Sequence, residues 1–135
     1  RESKSVISSI YRKMLNQWET DPYADYDHKY EGYHTVKEKF GKNVSKLQTC
    51  INYYNYIENT FRKDFHIIKN NSVEIQYEEF VRNPQEEIKK LYEFTELKWY
   101  KELENIIPNK LEEKNNDKWK TLKDEEISLL TKSFG

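Results

Sequence analysis

The chain opens Arg1-Glu2-Ser3-Lys4-Ser5-Val6-Ile7-Ser8-Ser9, and an apolar helical period begins inside that run. These residue types suit the binding of a small anion. A helix start offers unpaired backbone N–H groups and the positive end of its dipole. An arginine fork holds two phosphate oxygens at once, and Ser8 or Ser9 adds a hydroxyl donor. The same residues also serve a plainer end, with Arg1 a chain terminus and Ser3 or Ser5 a helix cap. Histidine is a residue type suited to proton transfer, and the chain has three, His28, His34 and His66. His28 and His34 stand near Asp25 and Asp27, but their spacing matches no standard metal site, and solvated loop positions account for them equally well. A single cysteine, Cys50, excludes an internal disulfide framework and a Cys-rich zinc site. No metal is expected, and no residue is assigned a catalytic role.

The elements that must position these groups read as mostly helical. Val6, Ile7, Ile10, Tyr11, Met14, Leu15 and Trp18 recur at three- and four-residue spacing, which predicts an amphipathic helix over residues 3–18. A Tyr- and Asp-rich stretch over about 20–34, punctuated by Pro22 and Gly32, reads as a surface loop or lid. One long helix is predicted over about 35–63, with Gly41 as a weak point worth about 1 kcal/mol against alanine. The Asn70-Asn71-Ser72 turn signal follows. Val73, Ile75 and Tyr77 then alternate with Glu74, Gln76 and Glu78, which predicts a short strand with one buried face. Asn83-Pro84-Gln85-Glu86 predicts a helix start with Asn83 as cap, Pro84 at the first turn and Glu86 closing a capping box. Further helices are expected around 99–106 and after Asp124, separated by the polar loop 109–118.

Residues 73–97 have a more specific likeness. Tyr77-Glu78-Glu79-Phe80, then Asn83-Pro84, then Phe94-Thr95-Glu96-Leu97 resemble the strand–helix segment of the PAPS-dependent sulfotransferases. That family also carries an Arg-x-x-x-x-Val-x-x-Ser element, and Arg1, Val6 and Ser9 stand at its places. Trp119, within Asp117–Leu122 and ahead of Asp124–Ile127, resembles the family's closing Gly-x-Trp and last helix. The resemblance implies the mostly helical C-terminal portion of a P-loop-like three-layer α/β fold, with one or two short parallel strands. It implies that Arg1 and Ser9 bind the 3′-phosphate of the donor PAPS and that Tyr77 lies near its adenine or 3′-phosphate side. An ordinary inward-facing strand residue explains Tyr77 as well. Lys110, Lys114 and Lys118 fall where such enzymes close over the nucleotide, although a lysine-rich loop is also simply a solvated one. The family's Pro-Lys-x-Gly-Thr-type loop, the apolar strand that should precede Arg1 and the usual base have no match. The start at Arg1 is accordingly expected to lie inside a larger α/β domain, with residues 1–135 a single or partial domain and 20–34 the acceptor-side lid.

Composition narrows the partners. The chain has 135 residues, with 23 Lys+Arg against 24 Asp+Glu and a formal net charge of -1. That balance argues against a dedicated nucleic-acid binder. Hydrophobic residues make up 36% and charged residues 35%, yet the 15% aromatic share, with 11 tyrosines, argues for a real core. No run reaches the roughly 18 apolar residues that span a bilayer, and no signal peptide is legible, so the reading is cytoplasmic. The expected function is transfer of a sulfuryl group from PAPS to a hydroxyl or amine of a small-molecule or carbohydrate acceptor. The alternatives are a non-catalytic helical interaction module, carried by the apolar stripe of 35–63, and an inactive nucleotide-binding remnant.

Overall fold

Ile7, Tyr11 and Met14 follow one another down one face of the first helix, and all three are buried. In the computed structural model, which describes residues 2–15, 33–112 and 116–135, the elements are α1 (Ser3–Lys13), α2 (Tyr33–Phe40), α3 (Lys46–Ile68), α4 (Tyr77–Arg82), α5 (Pro84–Phe94), α6 (Leu103–Ile106) and α7 (Asp124–Phe134). Short 3-10 turns cover Lys69–Asn71 and Asn116–Thr121. The chain divides into two compact units: residues 2–64 with 116–135, and residues 65–115. The expected lid over 20–34 lies almost wholly outside the described residues.

In the first unit, α1 packs on the 116–121 turn and on α7. Val36, Leu47, Cys50, Ile51 and Leu130 complete the core begun by α1, and Tyr54 meets Phe134 edge to face at 5.9 Å between ring centres. The long helix expected over 35–63 is two helices. α2 ends at Phe40, and α3 starts after Ser45, whose hydroxyl accepts the Gln48 N–H at 3.2 Å. Asn43 between them takes a positive φ of 61°. The break sits at Gly41 because the backbone approaches α3 there. A Cβ on Gly41 would lie 2.7 Å from Thr49 Oγ1 and 2.8 Å from the Lys37 carbonyl oxygen. Asn52 Nδ2 donates to the Phe40 carbonyl at 2.9 Å, so a side chain from α3 satisfies an end carbonyl of α2.

In the second unit, the predicted helix start at Pro84 is present, with Pro84 in the first turn, but the Asn83 side chain makes no cap bond. α6 spans only four residues instead of the eight or so expected. Gln85 fastens it by donating through Nε2 to the Glu104 carbonyl at 3.0 Å and the Ile107 carbonyl at 2.8 Å. The strand expected over 73–78 does not form, and no strand is found among the described residues. The backbone is extended at Ser72 and at Gln76, but a strand needs a ladder partner, and none of the described residues supplies one. Tyr77 therefore opens α4 instead of standing in a strand, with Glu78 and Glu79 in the first turn where the helix dipole favours acids. The alternation that suggested a strand passes without interruption into a helical spacing that buries Val81. The Leu111 N–H then donates to the Val81 carbonyl at 2.9 Å and closes the unit.

Candidate functional site

Ser8 and Ser9 separate clearly on α1. Ser8 is 1% exposed, and its hydroxyl donates to the Ser5 carbonyl at 3.0 Å. Ser9 is exposed, and its hydroxyl donates to the same carbonyl at 2.9 Å. Of the two, only Ser9 can reach a ligand, and its single O–H must first turn away from Ser5. The first turn of α1 carries no acid, which suits an anion. Glu2 precedes it, and its carboxylate accepts from the Ser5 hydroxyl at 3.4 Å, so Glu2 and a bound phosphate would compete for donors at this helix end. The Ser3 hydroxyl pairs with the Tyr54 hydroxyl at 3.0 Å rather than capping the helix. Arg1 lies outside the described residues, as do His28 and Lys114. Ser9 belongs to the first unit and Tyr77, half-buried at the start of α4, to the second.

The family model for the sulfotransferase family matches residues 1–101, three quarters of the chain, and runs through Ser9 and the Tyr77–Leu97 segment. The chain belongs to the sulfotransferase family. Comparisons with curated proteins and with solved structures find no match. Membership makes this family member a transferase by resemblance and gives the Arg1–Ser9 element its context. Among the described residues, no helix is long and apolar enough to cross a membrane, and no group of three His, Cys, Asp or Glu side chains is placed to hold a metal ion.

The structure also gathers residues that the sequence did not single out. The Tyr11 hydroxyl donates to Glu126 Oε1, and Glu126 Oε2 accepts the Lys123 N–H at 3.0 Å. The Glu126 side chain thus caps the start of α7. Burial, with the Glu126 bond adding to it, pushes the Tyr11 hydroxyl up to about 12. The Tyr11 hydrogen bond holds the Glu126 carboxyl below its usual range. Arg12, one turn beyond Ser8 and Ser9, donates through Nη2 to the Lys118 carbonyl at 2.9 Å and to Thr121 Oγ1 at 2.5 Å. The Lys4 ammonium stands 4.5 Å from the centre of the Trp119 ring and donates to the Gly135 carbonyl at 2.6 Å. Trp119, expected from the family's closing motif, thus packs against the core of the first unit. The one signal for this cluster in the sequence is the position of Arg12, three residues after Ser9 on the same helix.

Proposed function

We propose that this sulfotransferase family member uses PAPS, and that the start of α1 supplies the part of the nucleotide site that holds the 3′-phosphate. Arg1 would clamp two phosphate oxygens, Ser9 would donate one hydroxyl, and the first-turn N–H groups would add fixed partial charge. Tyr77 would lie against the adenine or 3′-phosphate side. The observation that carries this reading is the family match over residues 1–101, joined to Ser9 being the exposed serine of its pair. The P-loop-like layered fold with parallel strands belongs to the same proposal, as does a cytoplasmic setting.

In the reaction, an acceptor hydroxyl or amine bonds to the donor sulfur as the bond from sulfur to the bridging phosphate oxygen breaks, and the acceptor proton passes to a base. Adenosine 3′,5′-bisphosphate leaves. Cationic and N–H groups around the 5′-phosphate would favour the charge that builds there, by analogy with phosphoryl transfer, while the start of α1 would hold the 3′-phosphate. No residue of this chain is assigned as that base. The acceptor is a small molecule or carbohydrate, and the tyrosines of residues 20–34 would face it.

Calorimetry with adenosine 3′,5′-bisphosphate tests the reading. Arg1→Ala and Ser9→Ala are each expected to weaken binding about tenfold or more, the loss of a charge-assisted hydrogen bond. Glu2→Gln is expected to tighten it by removing the competing carboxylate. Unchanged affinity in both Arg1→Ala and Ser9→Ala would refute the assignment. Replacing Tyr23, Tyr26 and Tyr30 with serine should weaken acceptor binding more than nucleotide binding.

A further inference from the structure

We propose a second oxyanion site in the first unit, centred on Arg12, that takes a small carboxylate or sulfate carried on an apolar body. A cleft of about 410 Å³ lies between the end of α1 and the start of α7, lined by Tyr11, Arg12, Leu15, Thr121, Leu122, Lys123 and Glu126. That volume lies in the range of small-ligand pockets. Its lining pairs two cations with two leucines, which is the chemistry of an acid with an apolar body.

Three observations put the anion against Arg12. First, Arg12 has no carboxylate partner among the described residues, although a half-buried guanidinium ordinarily finds one. Second, its hydrogen bonds run through one terminal nitrogen, Nη2, to neutral acceptors, while Nη1 has no partner among the described residues and Nε is buried without one. The Lys118 and Thr121 contacts use both hydrogens of Nη2 and fix the plane of the guanidinium, which leaves Nη1 to donate to a ligand. Third, Glu126, the one carboxylate among the described residues that line the cleft, accepts from the Tyr11 hydroxyl on one oxygen and the Lys123 N–H on the other. Glu126 keeps its negative charge and makes no ion pair with Arg12 among the described residues, so an incoming anion is turned away from Glu126 and toward Arg12. The apolar part of the ligand would lie on Leu15 and Leu122.

This site is independent of the proposed 3′-phosphate site. It uses the last turn of α1 and the 121–126 segment, whereas the other uses Arg1 and Ser9. The test titrates inorganic sulfate, acetate and benzoate at constant ionic strength into the intact chain, following the Trp119 indole N–H by NMR and the melting temperature. Sulfate or carboxylate is expected to shift the indole signal and raise the melting temperature, with benzoate binding more tightly than acetate. Arg12→Gln should weaken binding about tenfold or more. Lys123→Gln, at an exposed side chain, should weaken it by a smaller factor and keep the fold. Arg1→Ala and Ser9→Ala should leave the shift of the Trp119 signal by benzoate unchanged. Equal binding in wild type, Arg12→Gln and Lys123→Gln would overturn the proposal, as would no response to any of the three anions. Loss of binding in Arg1→Ala and Ser9→Ala alone would also overturn it, by assigning the anion to the helix start.

Discussion

The two compact units bury very different amounts of their apolar residues. In the first, α1, α2, α3 and α7 enclose Ile7, Met14, Val36, Leu47, Cys50, Ile51 and Leu130, each no more than 2% exposed. In the second, Val81 is the one apolar side chain other than Pro84 that is buried among the described residues, while Ile67, Ile68, Val73, Phe94, Leu97, Tyr100 and Ile106 are exposed. The second unit is held more by polar fastening: Gln85 to two carbonyls, Lys89 between Glu86 and Glu104, and the Leu111–Val81 backbone bond. Buried apolar area stabilises without direction, whereas a hydrogen bond contributes about 1 kcal/mol net and depends on geometry. Substitutions should therefore act globally in the first unit and locally in the second.

The largest expected effect is in the first core. Ile51→Ala or Leu130→Ala should cost about 2–5 kcal/mol in denaturant unfolding. Ile106→Ala, at a side chain 76% exposed, should stay within about 0.5 kcal/mol. Similar costs for all three would erase the contrast. Gly41→Ala comes next, and its sign decides between two pictures. In one continuous helix alanine would stabilise by about 1 kcal/mol. With Thr49 and the Lys37 carbonyl inside 3 Å of the new Cβ, it should instead destabilise by about 1–3 kcal/mol. Gln85→Ala should cost about 1–2 kcal/mol. Hydrogen exchange should quicken around α6 while α1 keeps its protection.

The smallest and broadest effect is in pH. Burial pushes the Cys50 thiol up to about 12 from its ordinary 9.0, and Tyr11 to about 12 from 10.0. Both folded values are raised, so their contribution is complete below pH 9 and is lost as pH climbs from about 9 to 12. Glu126 is lowered, so its contribution is present above the usual carboxylate range and is lost as pH falls through its folded value. Because all three groups belong to the first unit, melting followed through Trp119 should show both limbs. Cys50→Ala should flatten part of the alkaline one. An alkaline limb unchanged in Cys50→Ala would remove the thiol from this account.

Much of the local structure was legible along the chain. The stripe of Ile7, Tyr11 and Met14, the start at Pro84 and the helix after residue 123 each follow from signals a few residues wide. The family was legible too, because its motifs are short and ordered. Where local signals conflicted, the sequence misled. Val73, Ile75 and Tyr77 carry a strand's alternation while Tyr77 and Val81 stand one helical turn apart, and the choice rests on whether a partner strand lies alongside.

The sequence by itself determined which faces are apolar, where several helices begin and the family to which the chain belongs, since each is written in neighbouring residues. Tertiary structure alone decided the break at Gly41, the burial that separates Ser8 from Ser9, and the partners of Arg12. Those partners lie more than a hundred residues away at Lys118 and Thr121. A close approach or a hydrogen bond across that separation exists only after the chain has folded, so no local pattern encodes it.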